Sequence, residues 1–240
     1  MIESLASEPK SVFEHVHELR RKFFFALGSF IIGTIIAHIF HSEIISFILK
    51  PTGNQNLIFL SPLEPLFFIF KIDFICGFII SFPIIFWLVI SYISPALSEK
   101  INKHLFLIYI SSTFLLTIGL IYAFFVTIPI TLKFLFSIKI PGINNNFSAE
   151  KYLDFFILQA IIITAIFQVP ILIVEGFYIG ILKNKMFKNK RRYIYFILLI
   201  ALAIITPTTD IFSLSIVYLP SIIILEVSFS IGKIIESIKK

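Results

Sequence analysis

The sequence predicts an all-α membrane protein of six transmembrane helices, with both termini on the inner side. Three observations carry that reading. Hydrophobic residues make up 58% of the 240 positions and charged residues 14%, with a mean hydropathy of +0.99, whereas water-soluble domains run nearer ~45–50% apolar and ~25% charged. The apolar residues gather into six runs separated by polar or turn-forming stretches. Fifteen of the 20 lysines and arginines fall in alternate intervals between those runs, the asymmetry that sets orientation in a bilayer. A soluble enzyme and a disordered chain are both excluded. The net charge of +6 does not point to nucleic acid, because the basic residues lie between apolar runs. Cys76 is the single cysteine, which allows no internal disulfide and no thiolate metal cage.

Residues 1–22 read as an inner-face amphipathic segment. Ser11 and Glu14 fit a capping box, and Val12, Val16, Leu19 and Phe23 recur at helical spacing. Glu18 and Lys22 stand four apart in the favourable order for a helical ion pair. The six-span domain then covers residues 23–232. Its first span, 23–40, follows Arg20-Arg21-Lys22 and ends in His41-Ser42-Glu43, without the small residues of a cleavage site. The next spans are expected at 74–93, 105–128, 155–182, 194–205 and 211–231, before a basic inner tail at 233–240. The fifth run gives only ~18 Å of helix against ~30 Å of hydrocarbon. Short fifth and sixth spans are therefore expected, met by local thinning or by oligomerisation.

Pro83, Pro129, Pro170 and Pro220 lie inside spans, where each removes a backbone donor and predicts a bend, so the bundle is expected to be kinked and curved. Pro51 holds a structural place in the outer segment, and Asp210 or Thr209 caps the sixth helix. With the N-terminus inside, segments 1–22, 95–104, 181–193 and 233–240 carry 4, 2, 6 and 3 basic residues. Polar residues in spans are functional candidates by default. Thr164, Gln168 and Glu175 fall on one helical face, which either contacts a partner helix or lets Glu175 reach the inner interface. Glu226 stands four residues before Ser230 and takes a packing or partner-contact role. His38 and His41 read as interfacial histidines, not metal ligands, and Asp73 with Lys71 and Lys50 as hydrated outer-surface charges.

Several motifs, in order, resemble those of the TatC family, the multispanning core of the twin-arginine protein translocase. They are His15-x-x-Glu18-Leu19-Arg20-x-Lys22, Ser61-Pro62-Leu63-Glu64-Pro65-Leu66-Phe67-Phe68-x-x-Lys71, Phe82-Pro83-Ile84 and Ser94-Pro95-Ala96-Leu97. Phe167-Gln168-Val169-Pro170, Arg192-Tyr193 and Thr206-Pro207-x-x-Asp210 complete the series. The resemblance implies a receptor and assembly core, without cofactor or catalysis. It would bind twin-arginine signal peptides of folded cargo and gather TatA/TatB-type single-span subunits, as a homo-oligomer within a larger complex driven by the proton-motive force. The implied signal-peptide residues are Glu18, Arg20, Lys22, Pro95, Leu97 and Glu99, and the implied partner contacts are Gln168 and Glu226, joined by Thr164 and Glu175. Guanidinium pairs call for bidentate carboxylates, which glutamate supplies.

The first inner loop departs from the family pattern: Ile101 stands where the family usually has glutamate. Either Glu99 takes that role, or Glu18 carries most of the recognition. Thirty Phe and 52 Ile against 9 Gly suggest an AT-rich genome, and Glu150-Lys151-Tyr152-Leu153-Asp154-Phe155 resembles cyanobacterial and plastid members. A plastid thylakoid membrane is favoured over a bacterial inner membrane. The alternative function is a secondary transporter of a small solute or ion, suggested by the intramembrane acids and prolines but lacking paired broken helices and internal repeats. An intramembrane hydrolase finds no nucleophile motif.

Overall fold

Hydrocarbon offers a backbone no hydrogen-bond partner, so a chain this apolar must satisfy its amides within helices. The structure, a computed structural model, describes residues 12–53, 57–96, 102, 104–138, 147–187, 190–206 and 211–238. Helix α1 (Val12–Ile39) passes without interruption from the amphipathic segment into the first apolar run. A short α2 (His41–Leu49) follows, then a 3₁₀ turn at Lys50–Thr52. Pro51 sits at the start of that turn, where its missing donor has no partner to lose, and Gly53 turns the chain with φ 62°. Strand β1 (Leu57–Ile58) leads into α3 (Glu64–Ile93), which runs through Pro83.

The third apolar run forms α4 (Leu105–Tyr122), one π-helical turn at Ala123–Thr127, and α5 (Ile128–Ser137). Pro129 stands in the first turn of α5 directly after the π turn, where the hydrogen-bond register has already changed. Strand β2 (Phe147–Ser148) precedes α6 (Ala149–Ile179), whose start is capped by Ser148 Oγ accepting from Lys151 N at 3.3 Å. Gly180, at φ 91°, closes α6 in the left-handed conformation a side chain would resist. The chain ends in a one-turn α7 (Asn184–Phe187), α8 (Arg191–Ile205) and α9 (Ile211–Ile238).

Among the described residues, five helical stretches are long and apolar enough to cross a membrane: His15–Ile39, Glu64–Ile93, Leu105–Ser137, Ala149–Ile179 and Ile211–Ser237. At 15 residues, α8 is short, as expected for the fifth run. The sixth is not short. Helix α9 has 28 residues and carries Lys233 and Glu236 beyond the expected end at 231. The second helix also starts ten residues before the expected 74, because polar Lys71 and Asp73 find partners inside the fold. The capping residues Ser11 and Asp210 lie outside the described residues.

Helix α6 is central, packed against α4, α9 and α3, and its Leu153, Ile163 and Phe167 are buried in the main core with Ile72, Ile128 and Leu202. Helix α1 packs against α3. Their closest approach is Gly33 on Gly77, where a Cβ on Gly33 would stand 2.6 Å from the Gly77 carbonyl oxygen. Strands β1 and β2 pair in parallel, Leu57 with Phe147 and Ile58 with Ser148, so segments 41–72 and 137–154 meet at one end of the molecule.

Candidate functional site

The end of the molecule away from the strands carries the charged groups marked by the sequence. Antiparallel packing brings the start of α1 to the end of α3, where His15 stacks on Tyr92 at 4.7 Å between centroids. One turn along α1, Glu18 accepts from Lys22 Nζ at 2.8 Å, and the same ammonium lies 5.7 Å from the Tyr92 ring centroid. Arg20 lies over Phe24 at 5.8 Å, on the exposed side of α1. Pro95, in the 3₁₀ turn Ser94–Ala96 that ends α3, is exposed at the same end. The structure thus brings together Glu18, Lys22 and the last turn of α3. Leu97 and Glu99, with Ile101, lie outside the described residues. Among the described residues no three His, Cys, Asp or Glu side chains converge as a metal site.

Such a carboxylate has a simple chemistry. Glu18 is partly buried and already accepts from an ammonium, so an incoming guanidinium can replace or share Lys22 through two parallel hydrogen bonds. The helical spacing that pairs Glu18 with Lys22 was readable. The aromatic clamp of His15 on Tyr92 was not, since nothing in either segment names its partner.

Deeper in the bundle, Gln168 on α6 is engaged from both sides by one residue of α4. Ser112 Oγ donates to its Oε1 at 2.6 Å, and its Nε2 donates to the Ser112 carbonyl at 3.1 Å. Thr164 and Gln168 line a cavity of about 320 Å³ with Phe78 and Phe82 of α3 and Leu116 of α4. The Thr164 hydroxyl there has no hydrogen-bond partner among the described residues. Glu175 is elsewhere. It lines a second cavity of about 380 Å³ with Ser111 of α4 and Ile231 of α9. The single polar face expected over Thr164, Gln168 and Glu175 is therefore divided. A stripe continuous along one helix is split by its neighbours, because α3 borders its outer part and α9 its inner part.

Glu226 on α9 receives Arg191 Nη1 and the Tyr195 hydroxyl, both from the start of α8. Tyr218 OH in turn donates to the Tyr195 carbonyl at 3.3 Å. In this chain Glu226 thus ties α9 to α8. At the outer end, His38 Nδ1 lies 2.7 Å from Asp73 Oδ2, and Lys71 bridges Glu150 at 2.7 Å and Asp154 at 2.8 Å. Asp73 is only 4% exposed, which corrects its expected place as a hydrated surface charge. Its position on α3 turns it toward α1, and there an imidazole replaces water as its partner.

Comparison with known proteins supplies the context for this geometry. Residues 14–220 match the family model described as TatC, Sec-independent protein translocase protein. The chain is 29% identical over 233 residues to the Sec-independent protein translocase protein TatC of Aquifex aeolicus, covering 95% of this chain and 96% of that one. It is 28% identical over 200 residues to the TatC protein of Synechocystis, covering 83% and 79%. It is 32% identical over 200 residues to a TatC-like protein, ycf43, of Cyanidium caldarium, covering 83% and 84%. Its fold superposes with a TM-score of 0.75 on a crystal structure of the twin-arginine translocase receptor TatC, at 28% identity, over 91% of this chain and 99% of that one.

Proposed function

The chain belongs to the TatC family of Sec-independent protein translocase proteins, and from that premise we propose that it is the receptor core that binds twin-arginine signal peptides at its inner end. It is a multi-pass membrane protein and a component of a protein translocase, a transport role and not an enzymatic one. The observation that carries the finer reading is the Glu18 carboxylate, partly buried at the junction of α1 and α3 and paired there with the Lys22 ammonium at 2.8 Å. Arg20, Lys22, Pro95, Leu97 and Glu99 complete the proposed signal-peptide surface. The proposed topology has six spans with both termini inside, α8 serving as the short fifth, and the interior prolines curving the wall.

Small single-span subunits of the TatA/TatB type are the proposed partners. Two levels of α6 offer them separate seats, Thr164 and Gln168 beside α3 and Glu175 beside α9, while Glu226 holds α8 and α9 together. The proposed assembly is a homo-oligomer within a larger complex. The ycf43-type relatives of red algae favour a plastid thylakoid membrane.

Peptide binding to the purified full chain tests the reading. Glu18→Gln is expected to weaken a twin-arginine peptide by roughly tenfold or more, the loss of a charge-assisted hydrogen bond. A twin-lysine peptide is expected to bind the unaltered chain less well, because an ammonium lacks the guanidinium fork. Equal binding of both peptides to both proteins would overturn the proposal. In the first inner loop, Glu99→Gln weakens binding if Glu99 is the second acceptor. If it has no effect while Ile101→Glu strengthens binding, Glu18 acts alone.

A further inference from the structure

The segment from the end of α6 into α8 is the most cationic stretch of the chain, with six basic residues between positions 181 and 193. It is also firmly held. Leu182 N donates to the Gly176 carbonyl at 2.9 Å, and Asn184 N donates to Glu236 Oε2 of α9 at 2.8 Å. The Phe187 ring packs against Phe177 at 5.8 Å and Phe229 at 4.9 Å. The acids of this end are thereby used inward, Glu236 by a backbone amide and Glu226 by Arg191 and Tyr195. Lys183, Lys185, Lys190 and Arg192 remain exposed, and no carboxylate pairs with them among the described residues.

Apolar side chains are interleaved with these cations. Ile181 is 68% exposed, Met186 52% and Tyr193 53%, and the Arg192 guanidinium lies 4.9 Å from the Tyr193 ring centroid. Cations alternating with exposed apolar groups on a rigid support suit a surface half in headgroups and half in acyl chains. The adjoining helix sharpens the point. Fifteen residues of α8 give about 22 Å of helix, against a hydrocarbon core of about 30 Å. Thinning of the bilayer beside so short a helix brings headgroups toward the cations at its start.

We propose that Lys183, Lys185, Lys190 and Arg192 form a seat for anionic lipid headgroups, with Ile181, Met186 and Tyr193 dipping into the acyl boundary. The ligand is a lipid headgroup that carries an anionic phosphodiester or a free sulfonate. The orientation proposed above decides only which leaflet supplies the lipid, so the test reads headgroup preference and not sidedness. A cation near an anionic surface contributes about a fivefold preference. Three such charges removed together are expected to abolish selectivity.

The test uses the full chain in detergent micelles doped with equal phosphatidylglycerol and phosphatidylcholine, with retained lipids counted by native mass spectrometry. The unaltered protein is expected to retain phosphatidylglycerol at least about tenfold over phosphatidylcholine. The variant Lys183→Gln/Lys185→Gln/Arg192→Gln, with unchanged helix content, is expected to fall to within about twofold of no preference. Lys50→Gln/Lys133→Gln, at other points of the chain, is expected to keep the preference. Absence of preference in the unaltered chain, or its survival in the triple variant, overturns the proposal. Displacement of the bound lipid by millimolar inorganic phosphate, or by a polyglutamate peptide, also overturns it, since the seat would then serve a free anion or an acidic protein segment.

Discussion

The two ends of the bundle are fastened differently. At the strand end, the outer one in the proposed topology, residues far apart in sequence are cross-linked: Lys71 to Glu150 and Asp154, His38 to Asp73, Tyr152 OH to the Ile48 carbonyl, and β1 to β2. Each tie joins a different pair of elements, and together they close α1, α2, α3 and α6 into one cap. At the opposite end, Glu18 pairs with Lys22 of its own helix, Glu226 and Glu236 hold the α7–α8 region to α9, and four cations face outward. On the proposed function, the difference separates a scaffold from a reading surface: one end uses its charges to hold helices together, and the other presents exposed cations beside Glu18.

The comparison is broken most directly at the outer cap. His38→Ala strands the Asp73 carboxylate, which is 4% exposed. Because the histidine itself is well exposed, the loss is expected near 1–3 kcal/mol, below that of a fully buried pair. Asp73→Asn, which removes the charge with its partner still in reach, is expected to cost less than half as much. Thermal unfolding in detergent checks both, and a larger loss for Asp73→Asn would show that the pair is not held by charge.

A smaller effect is expected from Lys71→Ala. It frees two carboxylates, but all three side chains are about a quarter or more exposed, so solvent screening limits the cost to about 0.5–1 kcal/mol. Chemical crosslinking between cysteines at Leu57 and Phe147 is expected to persist in this variant, since the strand pair does not depend on Lys71. Its loss would show that the cap is one cooperative unit.

The smallest expected change in stability comes from the inner end. Glu18→Gln removes one helical i,i+4 pair, worth about 0.3–0.5 kcal/mol. The same substitution is the one expected to weaken peptide binding most. A large loss of stability in Glu18→Gln would erase the distinction between the two ends.

Much of this architecture could be read along the chain, because apolar runs and basic intervals are one-dimensional signals. The helical character of the apolar runs, the short α8 and the pairing of Glu18 with Lys22 come from spacing alone. What could not be read depends on neighbours. Lys71 and Asp73 looked like hydrated residues ahead of a span, but α6 and α1 bring partners that let α3 begin at Glu64. Gln168 and Glu175 share a helical face in projection, yet they line different cavities because α3 and α9 pack at different heights. The π turn at Ala123–Thr127 has no compositional mark beyond the nearby Pro129. Family resemblance contributed the roles of residues, which no spacing in the chain could supply.

The reach of the Lys71 ties bears on how the protein is made. Lys71 meets Glu150 across 79 positions and Asp154 across 83, so during synthesis α3, α4 and α5 enter the bilayer before either acid exists. In the proposed topology Lys71 waits over that interval in water at the outer surface, where its charge opposes slippage of α3 toward the inner side. When α6 arrives, the same ammonium becomes its docking point. A residue that begins as a stop on one helix thus ends as the latch for another.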